Sequence, residues 1–362
     1  MSGITTRKGI MDMAPYIPGK PIEQVQREYG LKRVVKLASN ENPIKTSPKA
    51  LEAMKQELDK CYMYPEGSSP AIREALSKKY GVEPGEVLVA NGGDHVISLI
   101  CEAFVNVDDE VIVGVPSFMT YELATVIAGG KLVGVPLVDF TFDLDAVLKA
   151  ITDQTKIIFL CNPNNPTGTI VRRQEVAAFM EKVPDHCIVV FDEAYFEYVD
   201  DPGYPDGMEY VRAKKNVIVI RTFSKIYGLA GVRIGYAVAP KHIMDAFARV
   251  LPAFPANRVA QAGALAALDD KAFIEEAKRV NDEGRAYFQA EFEKLGMTYA
   301  ESHGNFIFVD TKRDAVKLNA ELLKRGVIVR PGPQWGYPNA LRVSIGTMEE
   351  NKTLIEALKE LV

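Results

Sequence analysis

Six short apolar runs, most of them separated by stretches of helical spacing, constrain the fold of this chain more than any other feature. They are Val87–Ala90, Glu110–Gly114, Lys156–Leu160, Ile188–Phe191, Val217–Ile220 and Tyr236–Ala239. Helical spacing fills Asp94–Val105, Ser117–Ile127 and Arg173–Lys182. Near-continuous apolar strands alternating with helices require a mostly parallel sheet covered on both faces. After Leu251 the pattern changes. Pro252 and Pro255 interrupt the chain, and a long helical stretch rich in Ala, Glu, Lys and Leu is expected over Arg258–Leu295. Strand-like segments at Asn305–Val309, Val327–Val329 and Leu341–Ile345 then mix with helices at Ala315–Lys324 and from Met348 onward. The expected division is an N-terminal arm with part of a small domain over 1–50, a large α/β domain over 51–255, and a smaller α+β domain over 256–362.

Composition narrows the function classes. The formal net charge of −5, with no dense basic run, gives no electrostatic footprint for nucleic acid. No apolar stretch approaches the roughly 20 residues that span a bilayer, and residues 1–21 lack the apolar core of a secretory signal. A cytoplasmic location is therefore expected. Cys61, Cys101, Cys161 and Cys187 form no CxxC pair, and the four histidines show no ligand spacing, so no metal site is expected.

The chemistry sits directly after the apolar runs. Lys225 follows the run Val217–Ile220 within Arg221-Thr-Phe-Ser-Lys. A lysine at the end of a buried strand is costly unless compensated, and imine formation with an aldehyde would use it. Thr222 and Ser224 offer hydroxyls beside it, and Arg233 can grip a phosphate. Asp192 ends the run Ile188–Phe191, where α/β proteins bind ligands, and Tyr195 follows. Asn165 lies in the rigid loop Cys161–Gly168, which holds two prolines and a glycine. Gly93 and Asp94 open a helix after the run Val87–Ala90, a geometry that lets backbone N–H groups approach phosphate. Phe118 can stack on a flat ring. Arg330 and Arg342 lie on strand-like segments and suit a carboxylate. Each residue also has a plain reading. Lys225 serves equally as a surface lysine, Asp192 as a helix cap, Tyr195 and Phe118 as core, and the Gly92-Gly93 pair as a tight turn.

In this order and at these positions the segments resemble the aspartate-aminotransferase superfamily, and within it the histidinol-phosphate aminotransferase family. Lys36–Pro43, Tyr62–Gly67, Asn162–Gly168, Asp192–Tyr195, Arg221–Leu229 and Leu341–Thr347 carry the resemblance, which covers nearly the whole chain. It implies the pyridoxal-phosphate transferase fold. It also implies pyridoxal 5′-phosphate held by Lys225 as a Schiff base, with Asp192 on the pyridinium nitrogen and Tyr195 and Asn165 on the ring oxygen. Gly93, Asp94, Thr222, Ser224 and Arg233 would bind the cofactor phosphate, joined by Tyr64 from the neighbouring subunit of a homodimer. Arg342 would bind the substrate α-carboxylate, and Arg330, Asn40 and Tyr16 would face the distal end. The implied reaction exchanges an amino group between histidinol phosphate and 2-oxoglutarate. An aromatic amino-acid aminotransferase is the alternative, with a decarboxylase of amino-acid phosphates behind it. A regulator on the same fold would need an additional DNA-binding domain. Two departures stand out. Phe118 replaces a tyrosine of many relatives, and His95 replaces a frequent glutamate.

Overall fold

The computed structural model of the chain describes residues 5–13, 15 and 19–362. Among these the strands are β1 Val35–Lys36, β2 Val87–Ala90, β3 Glu110–Val115, β4 Lys131–Pro136, β5 Thr155–Cys161, β6 Ile188–Asp192 and β7 Val217–Thr222. They continue as β8 Gly235–Val238, β9 Thr298–Tyr299, β10 Phe306–Asp310, β11 Val327–Ile328, β12 Arg330–Pro331 and β13 Ala340–Ser344.

The large sheet has the order β2-β8-β7-β6-β5-β3-β4, and among these described strands β8 alone runs opposite in direction to the rest. Helices Gly93–Phe104, Thr120–Ala128, Leu144–Ala150 and Arg173–Met180 make the successive crossovers from β2 to β6. Every residue of β6 and β7 is buried, as strands covered on both faces require. β4 has no counterpart among the runs read from the sequence. It is an edge strand, half-exposed along most of its length and opened by Lys131, so it lacks a continuous apolar signal.

A second, antiparallel sheet has the order β12-β13-β10-β9, and β1 pairs in parallel with β11 beside it. Its core gathers Phe288, Phe292, Ile307, Val309, Leu341, Val343, Leu354 and Leu358. Side chains of this size contribute about 1.5–3 kcal/mol each when fully buried. The helical stretch expected over Arg258–Leu295 is two helices, Arg258–Leu268 and Lys271–Lys294. Asp269 and Asp270 interrupt it. Aspartate competes with the helix backbone for hydrogen bonds, and the Asp270 carboxylate is held instead by the Ser47 hydroxyl at 2.5 Å.

The topology brings the C-terminal ends of β2, β5, β6 and β7 to one edge of the large sheet. The segments after them carry Gly93–Asp94, Asn165, Ala194–Tyr195 and Ser224–Lys225. Arg330 of β12 is the register partner of Arg342 of β13, so both guanidinium stems leave the small sheet on the same face.

Candidate active site

A cavity of about 420 Å³ lies where these strand ends meet the small sheet. Its walls include Asn40, Gly93, Asp94, Phe118, Asn165, Asp192, Tyr195, Thr222, Ser224, Lys225, Arg233, Arg330 and Arg342. The volume is within the range of about 300–1,000 Å³ typical of small-molecule and cofactor sites. Tyr16 lies outside the described residues. Tyr64 is 76% exposed and lies away from this cavity, stacked on Phe254 with ring centroids 4.3 Å apart.

Asp192 closes β6 with its carboxylate buried. The Tyr121 hydroxyl donates to Oδ2 at 2.6 Å, and the Ala194 amide donates to Oδ1 at 3.2 Å. Burial pushes the carboxyl up to about 6, against the pull of these two donors. Tyr121 is itself stacked on Phe159 at 4.4 Å, which fixes its ring. Lys225 stands across the cavity with its Nζ 5.7 Å from the Tyr195 ring centroid, donating to the Ser39 carbonyl at 3.4 Å. Burial pulls its amine down to about 8, and the nearby Arg342 guanidinium adds to the shift.

The Tyr195 hydroxyl accepts from Asn40 Nδ2 at 3.0 Å and from Asn165 Nδ2 at 3.4 Å. Asn165 Oδ1 in turn accepts from Arg342 at 2.6 Å, and Arg342 also donates to the Ala38 carbonyl at 2.7 Å. Asn40, at a left-handed φ of 54°, is clamped by Ser344, whose hydroxyl accepts from the Asn40 backbone N–H at 2.8 Å and donates to Asn40 Oδ1 at 2.9 Å. Arg330 donates to Gln334 at 3.0 Å.

The cradle at the other end is built by the turn before helix Gly93–Phe104. Arg233, itself at φ 57°, reaches Asp94 at 3.0 Å and the Ser224 hydroxyl at 3.4 Å. Gly92 has φ 85° and ψ 172°, a region open essentially to glycine alone. A Cβ there would lie 2.5 Å from Arg233 Nη2. A phosphate fits this donor set of guanidinium, hydroxyls and helix-opening N–H groups.

Several participants carry no local signal. Tyr121 contacts Asp192 across 71 positions, and Ser344 contacts Asn40 across 304. Ser39 and Glu41 also line the cavity. Tyr121 lies one helical turn beyond Phe118, and that spacing is the one hint the chain offers for it.

A desolvated amine and a buried acid share one cavity at the strand ends of this sheet, an arrangement with room for a flat ring between them. The chain belongs to the class I and II aminotransferases, whose family model matches residues 32–358. It is 46% identical over 357 residues to a histidinol-phosphate aminotransferase of Moorella thermoacetica, covering 98% of this chain and 92% of that one. Its structure matches that of histidinol-phosphate aminotransferase from Sinorhizobium meliloti in complex with pyridoxal-5′-phosphate, with a TM-score of 0.90 at 27% identity over 100% of both chains. The aspartate aminotransferase of Thermus thermophilus with maleate matches with a TM-score of 0.85 at 26% identity, again over 100% of both. Among the described residues no helix is long and apolar enough to cross a membrane.

Proposed function

We propose that this aminotransferase interconverts histidinol phosphate and 2-oxoglutarate with imidazole-acetol phosphate and glutamate, forming histidinol phosphate from imidazole-acetol phosphate in histidine biosynthesis. The observation that carries the reading is the pairing of Arg330 with Arg342 at the cavity wall, in register on adjacent strands. Histidinol phosphate carries a phosphate and no carboxylate, whereas glutamate carries two carboxylates. One site serving both in turn needs guanidinium groups that accept either anion. The names of the relatives at 46% and 45% identity support the same reading.

Bound pyridoxal phosphate supplies an aldehyde carbon for the amine and a protonated ring that accepts the electrons released at the substrate Cα. Lys225 would hold the aldehyde, and its Nζ is the group that would take up the proton from the substrate Cα and give it back. Asp192 would keep the ring nitrogen protonated, with Tyr121 and the Ala194 amide holding that carboxylate in place. Tyr195 and Asn165 would donate to the ring oxygen, and Phe118 would cover the ring face. Gly93, Asp94, Thr222, Ser224 and Arg233 would hold the phosphate. Arg342 takes the glutamate carboxylate, with Arg330 and Asn40 toward the distal end. The active unit is a cytoplasmic homodimer in which the partner's Tyr64 completes the phosphate site. Exposure of the neighbouring Tyr62 and Phe254 supports a covered surface there.

Turnover of histidinol phosphate, phenylalanine and tyrosine, each with 2-oxoglutarate, tests the substrate. Histidinol phosphate is expected to lead in kcat/KM by about 100-fold or more, because a site built for a phosphate is left with unpaired donors by an analogue lacking it. Preference for phenylalanine or tyrosine would make the enzyme an aromatic aminotransferase. Release of carbon dioxide without amino transfer would make it a decarboxylase.

The Lys225 amine also sets a pH dependence. Imine formation requires the neutral amine, and with the group near 8 about a tenth is neutral at pH 7. The rate constant for capture of pyridoxal phosphate by cofactor-free protein is expected to rise about tenfold per pH unit below 8 and to level off above it. Stopped-flow absorbance measures it. A rate constant that keeps rising about tenfold per pH unit from pH 8 to pH 10 would rule out a depressed amine at this position.

A further inference from the structure

The two strands that deliver Asp192 and Lys225 are also tied together on their far side. Side chains alternate along a strand. Asp192 and Ala194 of one segment, and Ile220 and Thr222 of the other, line the cavity, while Glu193 and Arg221 between them do not. Glu193 and Arg221 are each 1% exposed. Arg221 Nε and Nη2 both donate to Glu193 Oε2, at 2.9 Å and 2.7 Å, and Nη2 also reaches Asp206 at 3.1 Å. The second Glu193 oxygen accepts the Gly207 amide at 2.8 Å. The guanidinium lies 3.4 Å from the Phe196 ring centroid and 4.9 Å from that of Tyr80. Each partner is adjacent in sequence to a residue assigned to the cofactor, Glu193 to Asp192 and Arg221 to Thr222.

A buried ion pair of this kind contributes little net stability, because desolvation offsets the attraction, and its specific effect is geometric. We propose that the Glu193–Arg221 pair is a positioning element that fixes the separation between the Asp192 carboxylate and the Thr222–Lys225 segment, and so the seating of the cofactor between them. The pair touches neither substrate nor cofactor. The inference rests on the cofactor reading above and is independent of which amine is the substrate.

Two variants test it in the holoenzyme. The double variant Glu193→Leu with Arg221→Met removes both fully buried charges, leaves the half-exposed Asp206 to Arg212 at 3.9 Å and takes away the acceptor of the Gly207 amide, so its fold is expected to melt modestly below the parent. Arg221→Lys keeps the charge and loses the two-pronged contact. The double variant is expected to lower kcat about a hundredfold and to raise the pyridoxal phosphate dissociation constant about tenfold, since small displacements at the reacting centre carry such costs. The KM for the amine should stay within about twofold, because no substrate contact is removed. The absorbance maximum of the bound cofactor should also move, reporting a changed contact at the ring nitrogen. Arg221→Lys should show the same pattern at about tenfold in kcat. Parent-like kcat, cofactor affinity and spectrum in either folded variant would overturn the proposal, and Arg221→Lys decides alone if the double variant does not fold. A parent protein that takes up no cofactor would instead sink the functional reading, and this inference with it.

Discussion

Lys225→Ala is expected to lower turnover by about 10²–10⁴-fold, the range associated with loss of a positioned proton-transfer group. The visible absorbance of lysine-linked cofactor should vanish with it. The same variant should unfold no more easily than the parent when both lack cofactor. The sign follows from the amine's displacement, from 10.5 to about 8 on folding. Below pH 8 the folded chain carries a charged amine that its surroundings disfavour, so this group opposes folding there, and that opposition fades as pH rises through the folded value. Removing the side chain removes the opposition. A variant that lost activity through unfolding would show a depressed melting temperature, and a variant with near-parental turnover would strip Lys225 of its role. Steady-state kinetics and thermal unfolding at pH 7 decide between these results.

Asp192→Asn is the second large effect. The amide retains the shape of the carboxylate and can still accept the hydrogen bond that Tyr121 donates at 2.6 Å. What it lacks is the negative charge that would keep the ring nitrogen protonated. Loss of a preorganised electrostatic partner of this type costs about 10²–10³ in kcat. The KM for the amine should change far less, because in the proposed arrangement the carboxylate would meet the cofactor while Arg330 and Arg342 would meet the substrate anions. Burial holds the Asp192 carboxyl at about 6 in the protein alone, so a cation at the ring nitrogen would lower it and keep the pair ionised. An Asp192→Asn enzyme with parental kcat would place the anionic partner elsewhere.

These residues were legible in the chain because each belongs to a segment directly after an apolar run. Lys225, Asp192, Asn165 and Gly93 are all placed by strands whose continuous burial produces an unmistakable apolar signal. The contacts that orient them were not legible. Tyr121 reads as one more aromatic residue of an amphipathic helix, and its hydrogen bond to Asp192 exists because three successive crossovers leave β3 and β6 on either side of β5. Asn40 and Ser344 meet only when β1 and β13 are in place. Glu193 and Arg221 were visible as letters of quoted segments, yet their mutual contact depends on the register of β6 against β7. The edge strand β4 and the break at Asp269–Asp270 escaped for the opposite reason. Their sequences are locally ambiguous, and tertiary packing decides them.

The central claim is that one amine, at position 225, bonds the cofactor aldehyde. Borohydride reduction of the holoenzyme fixes that bond, and peptide mass spectrometry then locates the phosphopyridoxyl group. The label is expected on the peptide containing Lys225 and on no other lysine. A label on any other residue, with Lys225 unmodified, would contradict it.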